Sequence, residues 1–153
     1  MATFYGVNAT KRDVNNPSEK IKVNEQHGRV RRAYDSYTLA AEASISDEIL
    51  MMKLPSGAKL VDARLIAPSD GTTGQWDAGW DAAGSVAADQ NGIFEGATEG
   101  DTGGGAVDSK LAGDRAGYNQ EFDAETQLKL TCIEATTASS GDVLELEVFY
   151  VVD

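Results

Sequence analysis

Two stretches near the C-terminal end, TQLKLTCIEAT at Thr126–Thr136 and DVLELEVFYVV at Asp142–Val152, alternate apolar and polar residues one by one. A strand sends successive side chains to opposite faces, whereas a helix repeats near every 3.6 residues, so a period of two makes these runs strands with one dry face. Leu128, Leu130 and Cys132 share a face of the first. Leu144, Leu146, Val148, Tyr150 and Val152 form the matching face of the second, and Thr137–Gly141 (TASSG) joins the two. Glu145 and Glu147 point the other way. Phe149 and Val151 share their side, which places apolar residues on a nominally wet face, to be covered by the N-terminal arm or by another protein.

A second strand-rich stretch is DEILMMKLPSGAKLVDARLI, Asp47–Ile66. Its first run is apolar on both faces. Its second alternates, with Val61, Ala63 and Leu65 on one side and Asp62 and Arg64 on the other. Leu54-Pro55-Ser56-Gly57 between them suits a type I turn with Pro second and Gly fourth, so the stretch reads as a hairpin. Tyr37, Leu39, Ala41, Ala43 and Ile45 suggest a strand before it. Trp76, Ala78 and Trp80 share one face of a strand after it, as core residues rather than a sugar-stacking platform, which would need both rings exposed.

Residues 82–117 read as a long loop region, for 12 of the 16 glycines fall between Ala67 and Gln120. A short element at Gly92-Ile93-Phe94 and a helical turn near Val107–Leu111 interrupt it. Tyr118 and Phe122 pin its far end to the core. With no long amphipathic helix anywhere, the expected fold is all-β: an antiparallel β-sandwich or jelly-roll-like domain over residues 35–153, preceded by an extended basic arm at 1–34.

Charge separates those two parts. Residues 1–35 hold seven basic against four acidic side chains, a net of +3, while the remainder holds six against 21, a net of −15. An acidic body argues against non-specific nucleic-acid binding, which is chiefly Lys and Arg neutralising phosphates, and +3 over the arm is modest for it. The arm's Lys11, Arg12, Lys20, Lys22, Arg29, Arg31 and Arg32 are candidate partner-binding residues, suited to pairing with carboxylates on a protein surface; Phe149 and Val151 are candidates for an apolar contact. No run approaches about 20 apolar residues, and the first residues lack the apolar core of a signal peptide, so a soluble protein is expected. A single cysteine, Cys132, fits a reducing compartment and, in its alternating run, a buried thiol.

Catalytic chemistry finds no anchor. His27 is the only histidine and lies in the polar arm, Ser56 is explained by its turn, and no G-x-S-x-G elbow occurs. One Cys and one His do not make a zinc site. Asp89, Asn91, Glu95, Glu99 and Asp101 lie among glycines and invite calcium, but the EF-hand spacing is not met, so solvated acidic loops are expected. Gly100–Gly105 (GDTGGG) lacks the lysine of a phosphate loop. No enzyme activity, metal or cofactor is expected.

The order of the DEILMMKLPSGAKLVDARL stretch, the GTTGQWDAGW strand and the terminal GDVLELEVFYVVD strand resembles the small decoration, or cement, proteins of tailed-bacteriophage heads and related minor virion proteins. The resemblance spans Asp47–Asp153 and leaves the arm uncovered. It implies a β-sandwich on the outside of a capsid, made in the host cytoplasm, binding the major capsid protein and its own copies, often as a homotrimer, without catalytic residues. A carbohydrate-binding or tail or head-fibre surface module is the competing expectation.

Overall fold

The computed structural model describes residues 28–66, 75–98, 106–108, 117–134, 141 and 143–152. Every regular element among them is a strand: β1 (Val30–Thr38), β2 (Glu48–Leu54), β3 (Ala58–Ile66), β4 (Gln75–Trp80), β5 (Asp89–Thr98), β6 (Ala106–Asp108), β7 (Thr126–Glu134) and β8 (Val143–Val152). All pairings are antiparallel. β1 pairs with β8, β2 with β7, β3 with β6 and β4 with β5, the pattern of one long ribbon whose tip is β4–β5. Rolling that ribbon adds β3–β8 and β4–β7 and closes two four-stranded sheets, ordered β1-β8-β3-β6 and β2-β7-β4-β5. This is a jelly roll, the all-β sandwich expected from the sequence.

The period-two runs explain which faces meet. Leu128 and Leu130 of β7, with Cys132, are fully buried and share the core with Leu144, Leu146 and Val148 of β8, also fully buried. Each such side chain contributes about 1.5–3 kcal/mol when withdrawn from water. Trp76 and Trp80 extend this layer from β4, and Trp80 meets Phe122 edge to face at 5.4 Å. The Trp80 indole N–H donates to the Ala87 carbonyl at 3.1 Å, so its polar end is satisfied although the ring is buried. Asp77, on the opposite face of β4, accepts from Gly96 N–H at 2.9 Å and Gln90 Nε2 at 3.0 Å, which fastens the irregular β5 to its neighbour.

Several local expectations are corrected. Asp47–Ile66 is not a hairpin: β2 and β3 lie in different sheets, because their pairing edges are taken by β7 and β8. The turn between them is a corner from one sheet to the other. It closes between Ala58 N–H and Pro55 C=O at 3.1 Å, one residue later than a type I turn with Pro second. Gly57 is its third residue, at a φ of +78°, which glycine adopts without cost and which suits a type II turn. The Gly57 N–H donates to Phe122 C=O at 2.7 Å, anchoring the corner to a distant segment. The doubly apolar run in β2 also has a cause. The register against β7 shifts between Leu50 and Lys53, so Ile49, Met51, Met52 and Leu54 are all buried while Leu50 remains 62% exposed.

The strand expected from Tyr37 to Ile45 ends instead at Thr38 and starts at Val30, inside the segment read as the arm. Leu39 and Ala43 are buried outside any strand, and Ile45 is 62% exposed. Within 82–117, the element expected at Gly92–Phe94 is part of a ten-residue strand, and Val107 lies in β6 rather than in a helical turn. Phe122 is fully buried as expected, but Tyr118 is 50% exposed. Residues 109–111 and most of the 137–141 connection lie outside the described residues.

Gly79 carries one testable consequence of the β4–β5 packing. A Cβ there would sit 1.9 Å from the Asp89 carbonyl oxygen and 2.4 Å from that of Gln90, both backbone atoms that cannot swing aside. Gly79→Ala is expected to cost about 3 kcal/mol, read as a lower urea midpoint with an unchanged slope. An unshifted midpoint would show that the two strands do not approach this closely.

A second consequence is pH-dependent. The Asp123 carboxylate accepts from both the Oγ and the N–H of Ser85, which holds its pKa below the usual 3.8. Its contribution is therefore complete above the unfolded carboxylate value and is lost as pH falls through the lower folded value. Asp123→Asn is expected to melt earlier at pH 7, with the difference from the native chain narrowing across that acid window. A difference independent of pH would refute the assignment.

Candidate assembly surface

Alternation along β1 and β8 sets the outer face of the first sheet. Arg32, Tyr34 and Ser36 stand beside Glu145, Glu147 and Phe149, and Arg64 and Asp62 continue the face on β3. The face is a cross-strand polar lattice. The Arg32 guanidinium pairs with Glu147 and lies 5.0 Å from the Tyr34 ring centroid. The Tyr34 hydroxyl donates to Glu145, a hydrogen bond that ionisation would forfeit, so its pKa is raised above the ordinary 10.0. Arg64 lies over Phe149 at 5.9 Å from the ring centroid. Such exposed pairs contribute little each, because water and salt screen them.

The second sheet is clasped on its outer side by Lys129. Its ammonium reaches Glu48 at 2.7 Å and Asp81 at 3.0 Å, joining β7 to β2 and to the residue after β4. The Glu48 contact first, then Asp81, raises the lysine pKa above its usual 10.5.

The sequence-derived candidates are dispersed. Lys11, Arg12, Lys20 and Lys22 lie outside the described residues, as does His27. Arg29 is exposed just before β1, whereas Arg31 and Arg32 are consecutive residues of β1 and so face opposite sides. Phe149 and Val151, expected to be covered by the arm or by another protein, differ in exposure. Val151 is only 4% exposed, flanked in register by Val30 and by Lys59, itself largely buried. Phe149 is half-buried beside Arg64.

The exposed apolar side chains lie elsewhere. Val30 (61%), Tyr34 (45%) and Tyr37 (42%) stand on β1, and Leu50 stands on β2, the corresponding edge strand of the other sheet. Between these two edges runs a cleft of about 290 Å³ lined by Tyr37, Leu39, Ala43, Ile49 and Trp76, with Glu42, Asp47 and Glu48 also on its wall. Asp47 is committed to the Ser44 N–H at 2.8 Å and Glu48 to Lys129. Tyr37 and Leu50 each stood in an apolar run, but nothing in those runs told that their strands would form edges. Only the sheet order reveals it.

Among the described residues no three His, Cys, Asp or Glu side chains are grouped to hold a metal ion. Asp89 caps the N–H of Asn91 at 3.2 Å, and Glu99 and Asp101 lie outside the described residues. Cys132 is buried, its thiol directed at the Glu134 carbonyl. No helix among the described residues is long and apolar enough to cross a membrane.

Neither a family model nor a curated protein matches the chain. Solved structures do. A chain of the cyanophage Pam1 capsid asymmetric unit superposes with a TM-score of 0.68 at 14% identity, over 92% of this chain and 99% of that one. A chain of the capsid of Ralstonia phage GP4 superposes with a TM-score of 0.66 at 21% identity, over 82% and 86%. At these identities the likeness is one of fold.

Burial of both indoles overturns the tryptophan platform, since Trp76 is fully buried and Trp80 is 2% exposed. The folded chain is expected to emit blue-shifted fluorescence that neither mono- nor oligosaccharides displace on titration. Red emission that shifts with sugar would restore the platform.

Proposed function

We propose that this chain is a structural virion protein, not an enzyme, which binds the outside of a phage capsid lattice and stabilises it as a decoration or cement protein. The observation that carries this reading is the full-length match of its jelly roll to a chain from a phage capsid, 99% of which it covers. The Ralstonia phage GP4 capsid chain supports it from a second particle. Jelly rolls serve many ends, so fold alone does not decide between binding modules. The competing carbohydrate-binding reading loses its tryptophans to the core, and the outer faces offer ion pairs and an apolar edge suited to protein contacts.

In this reading the partner is the major capsid protein. The basic residues Lys11, Arg12, Lys20, Lys22 and Arg29 engage acidic patches on it, and Phe149 with Arg64 offers a stacking contact. Copies also associate with one another, as a homotrimer or another homo-oligomer. Fixed neighbours on a lattice turn modest contacts into lasting ones, because each further contact is made at high effective concentration. The protein is made in the host cytoplasm and resides on the capsid surface.

The purified chain is expected to co-sediment with capsids that lack it, and deletion of residues 1–28, which stops short of β1, is expected to abolish this. A truncated chain that binds as well as the full one refutes the role of the arm. Full-length protein that stays in the supernatant refutes the capsid reading itself.

A further inference from the structure

Of the four edge strands, β1 alone is both long and regular. β2 and β5 carry register shifts against their neighbours, and β6 is three residues long. Bulges and shortness are the usual protection of sheet edges against pairing with another chain. β1 runs for nine residues against β8 without a shift, contains no proline, and among the described residues has a neighbour on one side only. Alternate N–H and C=O groups along its other side therefore face outward; the Ser36 N–H already donates to the Asp35 carboxylate at 2.8 Å, which keeps further acceptor sites for a guanidinium.

We infer that this edge pairs with the β1 edge of a second copy, antiparallel, about a two-fold axis at Ala33. The choice of occupant rests on charge. A two-fold axis perpendicular to the sheet requires paired residues to lie on the same face. Arg32 and Tyr34 lie on the outer face with Glu147 and Glu145, so Arg31, Ala33 and Asp35 lie on the other. Centring the pair on Ala33 sets Arg31 of each copy opposite Asp35 of the other, twice, with the smallest side chain of the strand at the axis. It also sets each Arg32 opposite the other copy's Tyr34, the pairing of cation and ring already present within one chain.

The neighbouring registers are worse. Centring on Arg31 or Arg32 opposes two arginines, and centring on Asp35 opposes two carboxylates. Centring on Tyr34 opposes no charges of either sign. Oppositely charged cross-strand pairs stabilise and like pairs destabilise, so the strand selects both its own copy and this register. The product is a continuous eight-stranded sheet across two sandwiches. A two-fold contact closes at two copies, so this surface gives a dimer rather than a trimer. The inference deepens the self-association proposed above but does not depend on capsid binding.

Sedimentation equilibrium of the full chain up to millimolar concentration tests it, because a single edge-to-edge contact buries less than a standard interface. The native chain is expected to dimerise, and Arg31→Glu or Asp35→Lys alone to weaken the dimer about tenfold. An equimolar mixture of R31E and D35K is expected to recover it. There, the two introduced charges oppose each other with opposite signs, and native Arg31 of one copy meets native Asp35 of the other. A native chain that is monomeric throughout, single variants that associate like the native chain, or a mixture without recovery would each overturn the inference. A monomer that still co-sediments with capsids overturns only this contact and leaves the capsid reading in place.

Discussion

The sandwich depends on one dry seam, where the central strands β7 and β8 set their apolar faces toward each other from opposite sheets. Leu128 and Leu130 on one side and Leu144, Leu146 and Val148 on the other are all excluded from water. Each strand also has neighbours on both sides, β2 and β4 for β7, and β1 and β3 for β8. The two strands therefore hold four others in place through backbone pairing, making six of the eight, while the seam joins the layers. Trp76, Trp80 and Phe122 widen the seam but follow from it.

How far this was legible depended on how local its cause was. The faces of β4, β7 and β8 followed from alternation, since a side chain's face is decided by its immediate neighbours. The sandwich class followed from several such runs without a helix. Sheet membership did not follow. Asp47–Ile66 has the composition of a hairpin, yet Gly57 and Ala58 bond to Phe122, and β2 and β3 part into different sheets. That choice is made by strands some 70 to 90 residues away, and no window around Pro55 contains it.

The candidate surface was legible only in part, for the same reason. Arg31 and Arg32 read as two like charges of an extended arm, but a strand separates them: Arg32 joins the Glu147 lattice and Arg31 faces the other side. Val151 looked exposed because its position alternates with the core residues. In the sheet it is covered by flanking strands that the local pattern does not mention. What makes β1 a surface is its position at the end of a sheet, a property of topology and not of its nine residues.

The rolled ribbon has a kinetic corollary. Of the six strand pairings, β4–β5 alone joins strands adjacent in the chain, and Arg32 meets Glu147 across 115 residues. Nearly every rung must close a large loop before burial rewards it, which places such a topology among slow folders, in the millisecond-to-second range or beyond. Until the β8 rungs form, β1 has no strand partner and β3 lacks one of its two. The chain thus spends its most adhesive interval before the sandwich closes, and the abundance of acidic side chains, −12 overall, keeps copies apart during that interval.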